Sequence, residues 1–205
     1  MKPMEYQNRH ISREQLLSNT LHHFATITKH KALVFELCAK AGLPWQGLTH
    51  DLSKYSPTEF SVGAHYFQGD RSPNAAERHD KGFSEGWMHH KGRNPHHYEY
   101  WTDMREGGDG TLYGVPIPTR YMVEMMCDRI AASKVYKSKD YNDSCPLEYF
   151  ELELSFGNLP MNPESAAFLY ALLSLLAEKG EDETMRFVRK RIVEPRFIYT
   201  PGGAF

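Results

Sequence analysis

The chain has 205 residues, 40% of them hydrophobic and 24% charged, which suits one globular domain with a full core and would crowd two. A formal charge of −2 speaks against a dedicated nucleic-acid binder, and no apolar run approaches the roughly 18 residues that cross a membrane. Cys38, Cys127 and Cys145 are odd in number, far apart and without C-x-x-C spacing, so neither a disulfide framework nor a cysteine zinc site is expected. Met1-Lys2-Pro3-Met4-Glu5-Tyr6 lacks the apolar core of a signal peptide, and the expected location is cytoplasmic.

A first long helix is expected over 13–41, opened by a capping-box pattern at Ser12 and Gln15 and ended by Gly42-Leu43-Pro44. A second helix begins near Trp45 and carries Leu48 to Lys54. Ser56-Pro57-Thr58-Glu59 reads as another capping box, opening a third helix to about Tyr66. After a loop at Gly69–Asn74, helical periodicity resumes over 75–91 and is broken at Asn94-Pro95, with a short restart at Pro95. Gly107-Gly108-Asp109-Gly110 through Pro118 is irregular, with room for a turn or hairpin. A further helix covers 119–137, and three more lie near 146–154, 163–179 and 181–193. The tail from Tyr199 to Phe205 reads as extended or frayed. Strand-like alternation is nearly absent, so the expected class is all-α. The whole chain, 1–205, reads as a single domain.

Histidine is the outlier of the composition, with eleven in the chain. Alone, the count proves nothing, because histidine is both a common metal ligand and an ordinary surface residue. Position is more telling. His30 shares a helical stripe with Ile27, Val34, Leu37 and Cys38, where an imidazole needs a hydrogen-bond or metal partner. His23 lies on the same stripe, as a rival ligand or a satisfied core residue. Asp128 falls among Met125, Ala131, Ala132 and Val135, and a carboxylate on an apolar face is rare unless it is paired or binds a cation. Its competing role is an ion pair with Arg120 or Arg129. His90 aligns with His79, Phe83, Gly86 and Trp87, whereas His89 falls on the polar side. After the Asn94-Pro95 break, His97 shares a face with Trp101 and Met104 and is preferred to His96. On a straight helix His90 and His97 would stand about 10 Å apart, so the turn must bring them together or each must serve its own ion. Trp87, Tyr98, Tyr100 and Trp101 either stack a base or pack the core.

The order His30, His50-Asp51, Asp128 resembles the H…HD…D signature of the HD superfamily of metal-dependent phosphohydrolases. Val34 after the first histidine, the His50-Asp51-Leu52-Ser53-Lys54 segment and Cys127-Asp128-Arg129-Ile130-Ala131-Ala132 carry the same likeness, over roughly residues 20–137. The stretch from Trp87 to Trp101 is similar to a bacterial and phage group of HD-like proteins with a W-x-x-H…R-N-P-H-H pattern. The resemblance implies an HD-like helical bundle over about 13–137 with additional helices at about 146–195. It implies metal ligands at His30, His50, Asp51, His90, His97 and Asp128, with Asp51 bridging where two ions bind. Asp51 and Lys54 are then the candidate catalytic residues, and Lys54, with Arg93 and Asn94, either holds a phosphate or serves only as a solvated charge or helix cap. Nitrogen and oxygen donors without thiolate suit one or two ions of Mn, Fe, Co, Ni or Zn.

The leading expectation is hydrolysis of a small-molecule phosphate ester, with a nucleotide as one candidate, by a metal-activated water. The alternatives are a two-iron oxygenase and a non-catalytic metal-binding or sensing module. The leucine-rich helices from Leu169 to Leu176 are apolar enough either to cover the core or to form a homodimer interface.

Overall fold

The computed structural model describes residues 10–108, 110–157 and 159–205. Met1–Tyr6, with the leader question they raise, and Asp109 of the glycine-rich loop lie outside the described residues. The class is all-α, with α1 (Arg13–Ala41), α2 (Pro44–Thr49), α3 (Pro57–His65), α4 (Pro73–Lys81), α5 (Glu85–Lys91), α6 (Thr119–Lys137), α7 (Cys145–Ser155), α8 (Pro163–Lys179) and α9 (Glu181–Val188). A two-stranded antiparallel ribbon, β1 (Thr102–Met104) and β2 (Leu112–Gly114), occupies the irregular stretch, with Asp103 opposite Tyr113. No helix among the described residues is long and apolar enough to cross a membrane.

Local chemistry sets the ends of α1. Ser12 Oγ accepts from the Gln15 amide, and Gly42 closes the helix in the left-handed region at φ 89°, a conformation glycine adopts without a Cβ penalty. The buried stripe of α1, Val34, Leu37, Cys38 and Ala41, packs on Met122, Val123, Met126, Cys127 and Ile130 of α6. Leu169, Leu172, Leu173 and Leu176 of α8, with Met185 and Val188 of α9, close the same core. The leucine-rich helices therefore cover the core, and those side chains are not free to form an interface. All three cysteines are free and buried.

Four expectations change. The second helix stops at Thr49, because His50 is extended (ψ 130°) and Asp51 turns left-handed (φ 52°), so the His50-Asp51 pair sits in a break between α2 and a 3-10 turn over Leu52–Tyr55. The helix expected over 75–91 is two helices. Gly82 ends α4 at φ 80°, and Ser84 recaps α5 by accepting from the Trp87 amide. The last helix passes from α9 into one π turn at Arg189–Val193, where the Glu194 amide reaches the Arg189 carbonyl. The tail is tied down rather than frayed. Tyr199 Oη stands 2.6 Å from Ser165 Oγ and donates to the Ile117 carbonyl, its ring stacks on Phe168 at 4.4 Å, and the Thr119 amide donates to the Ala204 carbonyl.

Close packing of α2 on α1 positions the break. Gly47 lies against α1 so tightly that a Cβ there would fall 2.7 Å from Phe35 Cα and 3.0 Å from Cys38 Cβ. We expect Gly47→Ala to destabilise the protein by about 1–3 kcal/mol, since backbone must shift to admit it. Gly92→Ala, whose Cβ would meet nothing closer than 3.4 Å, should stay within about 0.5 kcal/mol. Urea unfolding of both variants checks this, and equal midpoints would sink the packing argument.

Candidate metal centre

Five segments converge on one buried group of imidazoles and carboxylates. α1 supplies His30 from its apolar stripe, and the break after α2 supplies His50 and Asp51. α5 supplies His90, the turn after Asn94 supplies His96 and His97, and α6 supplies Asp128 with Glu124 one turn before it. His30, His50, Asp51, His90 and His96 are each below 10% exposed.

The geometry divides around Asp51. On one side, His30 Nε2 lies 2.9 Å from Asp128 Oδ1 and 3.9 Å from Asp51 Oδ2, and His50 Nε2 lies 3.2 Å from Asp51 Oδ2 and 3.5 Å from Asp128 Oδ1. On the other side, the Nε2 atoms of His90 and His96 lie 3.2 and 3.3 Å from Asp51 Oδ1, and His97 Nε2 stands 2.9 Å from His90 Nε2. Each side thus offers four ligand atoms within 4.8 Å of one another, with Asp51 common to both. His30 Nε2, His50 Nε2, His96 Nε2 and both Asp51 oxygens are buried without a well-formed hydrogen bond, although several are in ion-pair range of one another. Buried polar atoms are ordinarily satisfied, so this convergence fits a cation. His/Asp/Glu groups of this kind could hold one or two metal ions, and the donor set is nitrogen and oxygen throughout.

A second ring of carboxylates orients the imidazoles. Glu124 Oε1 lies 2.9 Å from His50 Nδ1 and 3.1 Å from His96 Nδ1. Glu59 holds His90 Nδ1 at 2.7 Å through one oxygen and His89 Nδ1 at 2.6 Å through the other. A carboxylate at Nδ1 keeps the proton there and leaves Nε2 free as a ligand. Asn94 locks the turn, its Nδ2 donating to the His90 carbonyl at 2.7 Å and to Ser53 Oγ at 2.9 Å.

Electrostatics follow the same division. Burial opposes ionisation of Asp51, but His50, Lys54 and His90 outweigh it and hold the carboxyl well below the usual range. Asp128 is likewise held well below by His30 and His50 against burial. His50 and His90 are raised because neighbouring carboxylates, Asp51 first, overcome their burial. Burial together with His96 and His90 keeps His97 well below its ordinary value.

Two cavities reach the centre. A cleft of about 400 Å³ is walled by Trp87, Tyr98, Tyr136 and Tyr149 and reaches His96, His97 and Asp128. A second cavity of about 190 Å³ reaches His30, His90 and Asp128 from the side of His23 and Lys54.

The sequence-derived residues divide accordingly. His30, His50, Asp51, His90, His97 and Asp128 come together. His96, set second to His97, joins them, and both histidines face the centre. His90 points inward as expected, but the helical face used to argue it does not exist across Gly82. His89 is half-buried on Glu59 rather than solvated. Lys54 Nζ lies 2.6 Å from Asp51 Oδ2. Arg93 is exposed, caps the His89 carbonyl and lines neither cavity, while Asn94 is buried and holds the turn. Neither is placed to hold a phosphate in the cleft. Arg129 pairs with Glu153, and Arg120 stacks on Tyr121, so neither competes for Asp128.

Sequence reasoning missed Glu124 and Glu59. Glu124 sits four residues before Asp128 within Met122–Cys127, and the argument that singled out Asp128 applied to it equally. Glu59 was absorbed into a capping box. Its backbone amide does donate to Ser56 Oγ, but its side chain serves His89 and His90.

His23 packs against Phe60, Phe67 and the bare Cα of Gly63 instead of joining the ligands. Burial, with help from Lys54, lowers its pKa to about 4. Its folded pKa lies below the unfolded value, so protonation favours unfolding and stability falls as pH drops from about 6.5 towards about 4. The His23→Leu variant should lack this component, worth about 2 kcal/mol at the acid end. Denaturant midpoints of both proteins across that range test it, and parallel curves would exclude it. For the second ring, Glu124→Gln should weaken divalent-metal binding by about 10–100-fold with the fold intact. Calorimetric titration against circular dichroism is the measurement, and unchanged affinity would remove Glu124 from the site.

No curated protein and no solved structure matches the chain. A family profile described as a family of unknown function (DUF5662) matches residues 19–175, well over half of the 205 residues, and the chain belongs to that family.

Proposed function

We propose that this protein is a two-metal hydrolase acting on a phosphate ester of the nucleotide class, in the manner of the HD superfamily that its H…HD…D order resembles. The observation that carries the reading is the position of Asp51, whose two oxygens face two separate ligand sets. A carboxylate shared by two sets of nitrogen and oxygen donors would suit a pair of ions of the kind two-metal hydrolysis uses. His30, His50 and Asp128 would hold one ion, and His90, His96 and His97 the other. Such ions supply a water of lowered pKa and neutralise charge on phosphoryl oxygens.

The residues of the chain do the rest. Glu124 and Glu59 keep the protons of His50, His96 and His90 on Nδ1. Lys54, an ammonium with 30% of its side chain exposed, pairs with Asp51 and lines the second cavity, where it can receive a phosphoryl oxygen. Trp87, Tyr98 and Tyr136 give the cleft flat apolar walls suited to a planar group, with Arg129 at its edge.

The test is elemental analysis of protein purified without added metal, together with phosphate release and oxygen consumption under manganese or iron. We expect close to two ions per chain, loss of most metal in Asp51→Ala, and loss of about one ion in His90→Ala. Phosphate release should fall by about 100-fold or more in Asp51→Ala. Full metal retention in Asp51→Ala would place the site elsewhere. Oxygen uptake without phosphate release would make the protein an oxygenase, and turnover of neither kind across a broad panel would make it a binding module.

A further inference from the structure

We infer that the chain forms a two-fold homodimer through the outer face of α1 and the ridge formed by α2 and the 3-10 turn over Leu52–Tyr55. A face of α1 roughly 120° round from its buried stripe carries Leu17, Leu21, Phe24, Thr28, Lys31 and Phe35, separated alternately by four and three residues. That alternation is the seam of a helix that packs against another helix. Among the described residues nothing covers the start of this seam, since Leu17 and Leu21 are each 65% exposed and Phe24 is 51% exposed.

Past Phe24 the strip crosses Thr28 and Lys31 to reach the ridge. The Phe24 ring lies 6.1 Å from that of Tyr55, Thr28 Oγ1 is 3.2 Å from Tyr55 Oη, and Lys31 Nζ donates to the Leu48 carbonyl. Beyond these contacts the α2 ridge exposes Leu52, Leu48 and Trp45, the last at 69%. At roughly 200 Å² for each large side chain, the exposed parts of Leu17, Leu21, Phe24, Trp45, Leu48 and Leu52 amount to roughly 700 Å². A standard interface takes about 800 Å² from each partner. Contiguous apolar area of this size marks an interaction site on a soluble chain.

The occupant that fits is a second copy. A two-fold interface must be self-complementary, and this strip has two apolar halves that can cover each other. Antiparallel pairing centred between Leu21 and Phe24 lays the Leu17–Leu21 end of one α1 along the Leu48–Leu52 ridge of its mate. The same register sets Glu14, three residues before Leu17 on the seam, opposite Lys31, and the symmetry makes that pair twice. Lys31 also donates to the His50 carbonyl, so the interface borders the loop that carries Asp51. The inference does not depend on the metal chemistry proposed above.

Sedimentation equilibrium of the full chain from about 1 to 100 µM is the test, read against a chain mass of 23.7 kDa. We expect wild type at twice that mass and Leu17→Glu/Leu21→Glu at the single mass, with dimer dissociation raised at least about 100-fold. Both positions are exposed, so the variant should keep the wild-type helix signal and melting profile. Leu152→Glu/Phe156→Glu, exposed apolar positions at the end of α7 and just beyond it, should leave the dimer intact. A monomeric wild type across the range overturns the inference. So does a dimer that survives the α1 pair or is broken by the α7 pair.

Discussion

Asp51 is 2% exposed, and both its oxygens are directed at imidazole nitrogens rather than at amides or hydroxyls. The Lys54 ammonium, 2.6 Å from Oδ2, is its one strong cationic neighbour among the described residues. A buried carboxylate is tolerable only when its charge is matched. Here the match must come from the centre of the bundle, because three helices and two turns have brought five imidazoles and a second carboxylate to the same place. The packing of α1 on α6 can be read as serving this convergence. It sets His30 and Asp128 within 2.9 Å of each other across the interface, one residue beyond the apolar contacts of Cys127.

The carboxylates one step further out decide how the charge is shared. With Asp51, Asp128, Glu124 and Glu59 all depressed and in contact with histidines, protons are drawn onto His50 and His90. A cation bound at the same Nε2 atoms would take over that task, so metal uptake would release protons and strengthen as pH rises. His97 is drawn the other way, since burial, with His96 and His90 beside it, holds it well below its ordinary value. Its Nε2 stands 2.9 Å from that of His90, at the same side of the centre.

What the sequence disclosed was periodicity and composition along single helices. The stripe carrying His30, the apolar surroundings of Asp128 and the limits of α6 and α8 are all local patterns, and all could be read. The gathering of His90, His96 and His97 was harder, because it depends on a side-chain lock. Asn94 holds the His90 carbonyl and Ser53, which no spacing rule predicts. Glu59 was hidden for a different reason: its position satisfied a local capping rule, so no unexplained charge remained to prompt a search. The tail was misread because its anchors, Ser165 and Ile117, lie 34 and 82 residues from Tyr199 in the chain.

The backbone at Asp51 explains why a dipeptide can serve both ligand sets. Successive residues on a helix diverge by about 100°, which would let the pair meet a shared centre only at close range. The left-handed turn at φ 52° changes that relation, and aspartate is among the few residues that take it at modest strain, of order 1 kcal/mol. Strain persists only where neighbours enforce it. Lys31 does so from α1, donating at 2.7 Å to the carbonyls of both Leu48 and His50, while Gly47 lets α2 lie directly on the α1 backbone. The conformation that aims Asp51 at two ligand sets is therefore held by one lysine and by the absence of one methyl group, both outside the centre itself.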